Sequence, residues 1–73
     1  MGVLNIVGPE GHTELIWKRE SPSEAEVRER FAELVRLGYL TYTTDVSTNE
    51  SELTRVFRPD ADRITALPPI QGG

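Results

Sequence analysis

The sequence has 73 residues, no cysteine, one histidine and a net charge of −4. A chain of this length forms at most one domain with a small core, and without cysteine it has no disulfides, thiolate metal ligands or cysteine nucleophile. The acidic balance argues against a nucleic-acid partner, which normally meets a basic face. The sequence also lacks a membrane-length apolar run and a signal peptide, so we expect a cytoplasmic protein with no membrane partner.

The first two elements are predicted to form a β-hairpin. Residues 3–7 and 12–18 are rich in β-branched and apolar side chains, and they flank the turn sequence Gly8-Pro9-Glu10-Gly11. Strand alternation then places Leu15 and Trp17 on one face of the second strand.

A helix is predicted over residues 22–37. Ser21-Pro22-Ser23-Glu24 provides a serine N-cap, a proline at the first helical position and a glutamate three residues after the cap, which together indicate a capping box. Gly38 follows where a left-handed residue ends a helix. One apolar stripe, called here the helix stripe, is formed by Val27, Phe31, Leu34 and Val35.

Three more strands are predicted after the helix. They cover residues 39–44, 53–58 and 63–67, separated by a polar loop over 45–52 and a turn over 59–62. We therefore expect a domain over residues 1–67. Residues 68–73 form an extended tail, because their prolines lack N–H groups and their glycines have no side chain to pack.

This order of elements predicts an α+β fold of the β-grasp, or ubiquitin-like, type. An amphipathic helix with one apolar stripe must lie on one face of a sheet, here a four- or five-stranded mixed sheet in ββαββ order. The right-handed crossover rule makes the first and last strands parallel neighbours at its centre. The predicted sheet partners of the helix stripe are Leu4, Ile6, Leu40, Ile64 and one of Leu15 or Trp17.

The internal residues predict neither an enzyme nor a metal or cofactor site. His12 lies beside a glycine turn and is interpreted as a solvated loop residue, and Ser21 has a capping role with no histidine to activate it. Paired, environment-tuned groups of the kind that catalysis needs are not visible in the sequence.

The carboxyl-terminal residues carry the strongest functional signal. The segment Asp62-Arg63-Ile64-Thr65-Ala66-Leu67-Pro68-Pro69-Ile70-Gln71-Gly72-Gly73 resembles the end of the sulfur-carrier proteins, particularly the small subunit of molybdopterin synthase. More loosely, it resembles ubiquitin-like modifiers, including those found in bacterial operons beside activating enzymes, conjugating enzymes and metalloproteases.

The resemblance implies that the Gly73 carboxylate is adenylated by an activating enzyme and transferred to a protein acceptor. Gly72 is then needed for steric reasons, since glycine has no Cβ, and a conjugating enzyme and a deconjugating metalloprotease are the further partners implied. Two alternatives remain open: a sulfur carrier that forms a C-terminal thiocarboxylate, and a non-covalent interaction module in which Gly-Gly is accidental.

A docking surface for the partner is predicted around the base of the tail. Pro68 and Pro69 hold the tail extended, which lowers the ordering cost on insertion, and Ile70 offers an apolar anchor. Partners of ubiquitin-like folds commonly contact the exposed sheet face, so the resemblance implies that some of Tyr39, Thr41, Arg55 and Arg58 take part. Alternatively, Tyr39 packs beside the end of the helix. We expect the protein to be a monomer.

Overall fold

Five strands and one helix follow one another in the computed structural model, which describes residues 1–9 and 11–69. Their bounds are β1 (Gly2–Gly8), β2 (Gly11–Trp17), α1 (Pro22–Arg36), β3 (Leu40–Asp45), β4 (Glu50–Leu53) and β5 (Arg63–Leu67). The predicted hairpin, helix and β5 are confirmed, and β3 starts one residue later than expected.

The strands form one mixed sheet in the order β2-β1-β5-β3-β4. β1 and β5 run parallel in the middle, with Leu4 opposite Ile64 and Ile6 opposite Ala66, while the other strand pairs are antiparallel. The predicted central placement of β1 and β5 is therefore confirmed. With one helix packed against a five-stranded mixed sheet, the fold is β-grasp-like.

The hairpin of β1 and β2 brings Gly2 directly opposite Trp17. Trp17 is fully buried, and its indole Nε1 donates a hydrogen bond to the carbonyl oxygen of Pro59 at 3.2 Å. A Cβ on Gly2 would lie 2.2 Å from a carbon of the indole ring. Only glycine at this position leaves room for the ring on the helix side of the sheet.

The helix begins at the predicted residue and ends one residue earlier than predicted, at Arg36, and its first turn is not a capping box. Ser21 is the N-cap with extended backbone, yet its hydroxyl donates to the carbonyl of Lys18 at 2.5 Å instead of accepting from the first turn. Glu24 N–H donates to the main-chain oxygen of Ser21 at 3.1 Å. The predicted capping box is therefore wrong, because the Ser21 hydroxyl is engaged by the chain that precedes the helix.

The helix ends in a Schellman arrangement around Gly38. Gly38 N–H donates to the Val35 carbonyl at 3.1 Å and Tyr39 N–H donates to the Leu34 carbonyl at 3.0 Å, while Gly38 has a φ of 94°. The left-handed conformation predicted for Gly38 is confirmed, and it turns the chain directly into β3.

The core lies between the helix and one face of the sheet. Three residues of the helix stripe are buried, and Val35 is half-buried against them. Their buried apolar partners are Leu4, Ile6, Trp17, Phe57, Ile64 and Ala66. Leu15 is also half-buried against this core, so both predicted candidates on β2, Leu15 and Trp17, contribute to it.

The prediction that Leu40 belongs to the core is wrong. Leu40 is 47% exposed, whereas its neighbour Thr41 is 3% exposed. Thr41 pairs with Ala66 and Leu40 with Leu67, and alternation along a strand sends successive side chains to opposite faces. The pairing register therefore places Thr41 on the helix side and Leu40 on the opposite side, called here the open face.

The fourth strand lies at Glu50–Leu53 and not at the predicted 53–58. Asp45 closes the preceding turn: its carboxylate accepts from the Ser47 hydroxyl at 2.6 Å and from Ser47 N–H at 2.9 Å. These bonds hold the pKa of the Asp45 carboxyl below its ordinary value. Asn49 adopts a φ of 61°, so the chain reverses within the predicted loop and the return strand begins at Glu50.

Candidate functional site

The base of the tail lies against the end of the helix. β5 ends at Leu67, after which Pro68 is half-buried and Pro69 is exposed. A Cβ built on Gly38 would be in van der Waals contact, at 3.7 Å, with the Cβ of Pro69. The two prolines therefore leave the sheet beside the helix C-cap. The predicted site residues Ile70, Gly72 and Gly73 lie outside the described residues.

A groove of about 430 Å³ lies next to this point, between the end of the helix and the start of β3. It brings together three of the predicted docking residues, Tyr39, Thr41 and Arg55. Its other walls include Val35 from the helix, Leu40 from β3 and Leu53 from the end of β4. We call it the β3 groove.

Thr41 forms the floor of the β3 groove and is not on the exposed sheet face where the sequence analysis places it. Its side chain is buried, and its hydroxyl donates a hydrogen bond to the carbonyl of Thr54. Thr54 N–H donates in return to the carbonyl of Thr41 at 2.9 Å. This reciprocal bonding joins the strand to the segment after β4, so the role of Thr41 in the structure is to close the groove from below.

Tyr39 is half-buried against the core, beside the helix C-cap, and it also lines the β3 groove. Arg55 is exposed and is the one charged residue that lines the groove within residues 1–9 and 11–69. Tyr39 packs beside the helix end, as the alternative interpretation predicts, and its role in docking stays a prediction.

Arg58 is separated from the β3 groove. It lines a smaller depression, of about 180 Å³, at the other end of β3. The other charged residues there are Asp45, Asp60 and Asp62. The start of β3 thus carries the exposed Arg55, whereas the end of β3 carries three carboxylates around Arg58.

Two groove residues were not expected at the surface of a docking site. The sequence analysis assigns Leu40 to the core and makes Leu53 the first residue of β4, whereas Leu53 is the last residue of β4 and is 70% exposed. The alternation of apolar and hydroxyl residues around Leu40 fits either face of a strand, so the sequence alone offers no signal that selects the open face.

Within residues 1–9 and 11–69, no three His, Asp or Glu side chains lie close enough together to hold a metal ion. The helix in this part of the chain is too short and too polar to cross a membrane.

No family model, no curated protein and no solved structure matches this chain.

Proposed function

We propose that this protein is a ubiquitin-like modifier, in which the carboxylate of Gly73 is adenylated by an activating enzyme and then transferred to a protein acceptor. The observation that carries the proposal is the position of β5. This strand occupies the centre of a β-grasp-like sheet and leads directly into Pro68 and Pro69 beside the helix C-cap, and the sequence continues to Gly72-Gly73.

In the proposed reaction, the protein itself is the group that is activated and transferred. An α-carboxylate is ionised at neutral pH, because its ordinary pKa is about 3.5. One carboxylate oxygen attacks the α-phosphorus of ATP, pyrophosphate leaves, and an acyl-adenylate forms on Gly73. A cysteine thiolate of the enzyme then attacks the acyl carbon and AMP leaves; a lysine amine of the acceptor displaces the thiolate in turn.

The residues of the tail are suited to this transfer. Glycine has no Cβ, so Gly72 and Gly73 let the carboxylate pass through a narrow channel to the nucleotide. Pro68 and Pro69 each have a fixed φ, so less conformational entropy is lost when the tail is inserted. The β3 groove lies at the base of the tail, and Tyr39 and Arg55 are the residues there that a docked activating enzyme would contact.

The test is an intact-mass and peptide-mass measurement on the 73-residue chain. After incubation with ATP and a lysate of the source organism, trypsin cleaves after Arg63, beyond which the chain has no Lys or Arg. We expect acceptor lysines to carry the remnant 64–73, joined through the Gly73 carbonyl. If an oxygen of the terminal carboxylate is instead replaced by sulfur, the protein is a sulfur carrier.

Two tail variants and one extension serve as controls. Deleting Gly73 moves the carboxylate back by up to about 3.6 Å, and a misplacement of about 1 Å already costs on the order of a hundredfold in rate. Gly72→Val keeps the carboxylate in place but adds a β-branched side chain. Adducts that persist after the Gly73 deletion, or with an alanine appended to Gly73, would show that the proposed function is wrong.

A further inference from the structure

Two exposed aliphatic side chains, Leu40 and Leu53, line the β3 groove. Among the described residues, the large apolar side chains that remain exposed are Met1, Ile16, Leu37, Leu40, Val46, Leu53 and Val56. Leu40 and Leu53 line the groove together with the half-buried Val35 and Tyr39. Clustered exposed apolar surface with a polar rim is typical of a protein-interaction site.

The charge at this groove is opposite in sign to the charge of the whole molecule. The protein has a net charge of −4, yet the charged residue among those described that line the β3 groove is Arg55. Arg36 ends the helix directly before the groove wall. Carboxylates gather instead at the far end of β3, around Arg58. A partner that seats apolar side chains in the groove therefore meets a cation there.

Pairing between β3 and the chain that includes β4 stops one residue short of the start of β3. β4 pairs with β3 from Tyr42 to Asp45, and the bonds between Thr41 and Thr54 continue this pairing by one residue. In the described part of the chain, no strand covers the start of β3 on that side, where Leu40 begins the strand beside the groove. The Thr41 hydroxyl is already bonded, so apolar contact and Arg55 dominate recognition.

We infer that the β3 groove binds an extended segment of a partner protein in which aliphatic side chains stand next to a carboxylate. The aliphatic side chains contact Leu40, Leu53 and Val35, and the carboxylate pairs with the guanidinium of Arg55, whose planar donors match it bidentately. This inference stands independently of the proposed function, since it requires no reaction at Gly73.

The test selects ligands from a phage-displayed library of random 12-residue peptides against the 73-residue protein. We expect enrichment of sequences that combine Leu, Ile or Val with an adjacent Asp or Glu. Amide shifts in a ¹H–¹⁵N spectrum on addition of a selected peptide should cluster at residues of the β3 groove, and its affinity should fall as salt is added.

Two pairs of variants localise the binding. Arg55→Glu should lower the affinity for the peptide by about tenfold or more. Arg19→Glu makes the same change in net charge, but Arg19 precedes the other end of the helix, so this variant should leave the affinity unchanged. Leu53→Ser should weaken binding by about tenfold, whereas Ile16→Ser removes another exposed aliphatic side chain, from β2, and should not. A dispersed ¹H–¹⁵N spectrum confirms that each variant is folded.

Four results would overturn the inference: selection that yields no binding peptides, selected peptides without a carboxylate preference, equal binding by wild type and Arg55→Glu, or amide shifts on another surface. A second copy of the chain is the competing occupant. A mass that doubles with concentration in light scattering, and returns to that of a monomer in Leu53→Ser, would assign the groove to self-association instead.

Discussion

Gly2 occupies a position where the fold leaves no room for a side chain. Its pairing with Trp17 places the indole ring over the strand, within 2.2 Å of any added Cβ. The ring has little freedom to retreat, since it is fully buried, bonded to the Pro59 carbonyl and packed at 5.1 Å from the ring of Phe57. The requirement for glycine thus arises from tertiary packing and not from backbone conformation.

We predict that Gly2→Ala destabilises the protein by about 1–3 kcal/mol, the usual cost of overpacking a filled core. For a domain of this size, each kcal/mol lowers the melting temperature by roughly 4–8 °C. Thermal unfolding followed by circular dichroism, together with the fluorescence of Trp17, measures the change.

Gly8→Ala is the matched control at the other end of the same strand. Among the described residues, a Cβ there meets the carbonyl oxygen of Gly11 alone, at the ordinary contact distance of 3.4 Å. We therefore expect a change in stability within about 0.5 kcal/mol. Equal melting temperatures for wild type and Gly2→Ala would mean that Trp17 does not occupy the position described.

Local sequence signals predict residues whose role is local, and they fail where a role depends on distant contacts. Gly38 was predictable because a left-handed helix end needs glycine within a few residues of the last apolar position. Gly2 was not, because its constraint comes from a ring that is distant in sequence. Leu40 was misplaced for a related reason. The face of the sheet on which it lies is set by its pairing with Leu67, and the local sequence contains no signal for that pairing.

Among the elements, the segment after β4 departs furthest from its prediction. Residues 53–58 have the composition of a strand, but Thr54 bends the chain: its hydroxyl accepts from Val56 N–H at 3.1 Å and donates to the Val56 carbonyl at 2.8 Å. Such a turn competes with strand hydrogen bonds. The bend leaves Val56 exposed and allows Phe57 to enter the core.

Phe57 joins the sheet to the helix although it lies in neither. Its ring is tilted against Trp17 and meets the edge of Phe31 at a centroid distance of 5.8 Å. The guanidinium of Arg28 lies over the ring, 5.0 Å from its centroid. Arg28 therefore covers an aromatic cluster from the solvent side, a role that its place on the charged face of the helix does not reveal.

We predict that Phe57→Ala costs about 3–5 kcal/mol, the range for deleting a well-packed aromatic side chain. The total stability of a small domain is not much larger, so the variant should be partly unfolded at 37 °C. Urea denaturation measures the loss. Val56→Ala, one residue earlier and 66% exposed, should change the midpoint little. A comparable loss of stability in both variants would contradict the finding that Phe57 is buried while Val56 is exposed.

At the scale of the whole molecule, the order of elements was enough to predict the fold. One amphipathic helix can bury its stripe only against a sheet, and the crossover rule places β1 beside β5; the strand order β2-β1-β5-β3-β4 confirms both steps. The β3 groove was only partly predictable. The resemblance to ubiquitin-like folds names Tyr39 and Arg55 as candidates, but the surface that joins them depends on where β4 begins and on the face that Leu40 occupies.

The central position of β5 makes folding depend on residues 63–67. β5 supplies Ile64 and Ala66 to the core and bonds to β1 on one side and β3 on the other. Without β5, the sheet becomes two separate hairpins, β1 with β2 and β3 with β4, and an isolated two-stranded hairpin is at best marginally stable in water.

We therefore predict that a chain of residues 1–62 does not fold. A chain of residues 1–69 should have the same free energy of unfolding as the full sequence, to within about 0.5 kcal/mol in urea denaturation. The second chain keeps every core residue and every strand pair described above, since the described structure reaches Pro69. A ¹H–¹⁵N spectrum should show dispersed amide signals for residues 1–69 and collapsed ones for residues 1–62. Cooperative unfolding of the shorter chain would contradict the central role of β5. A large loss of stability in the longer one would mean that residues 70–73 contribute to the fold itself, and the tail variants would then have to be judged on their stability before their reactivity.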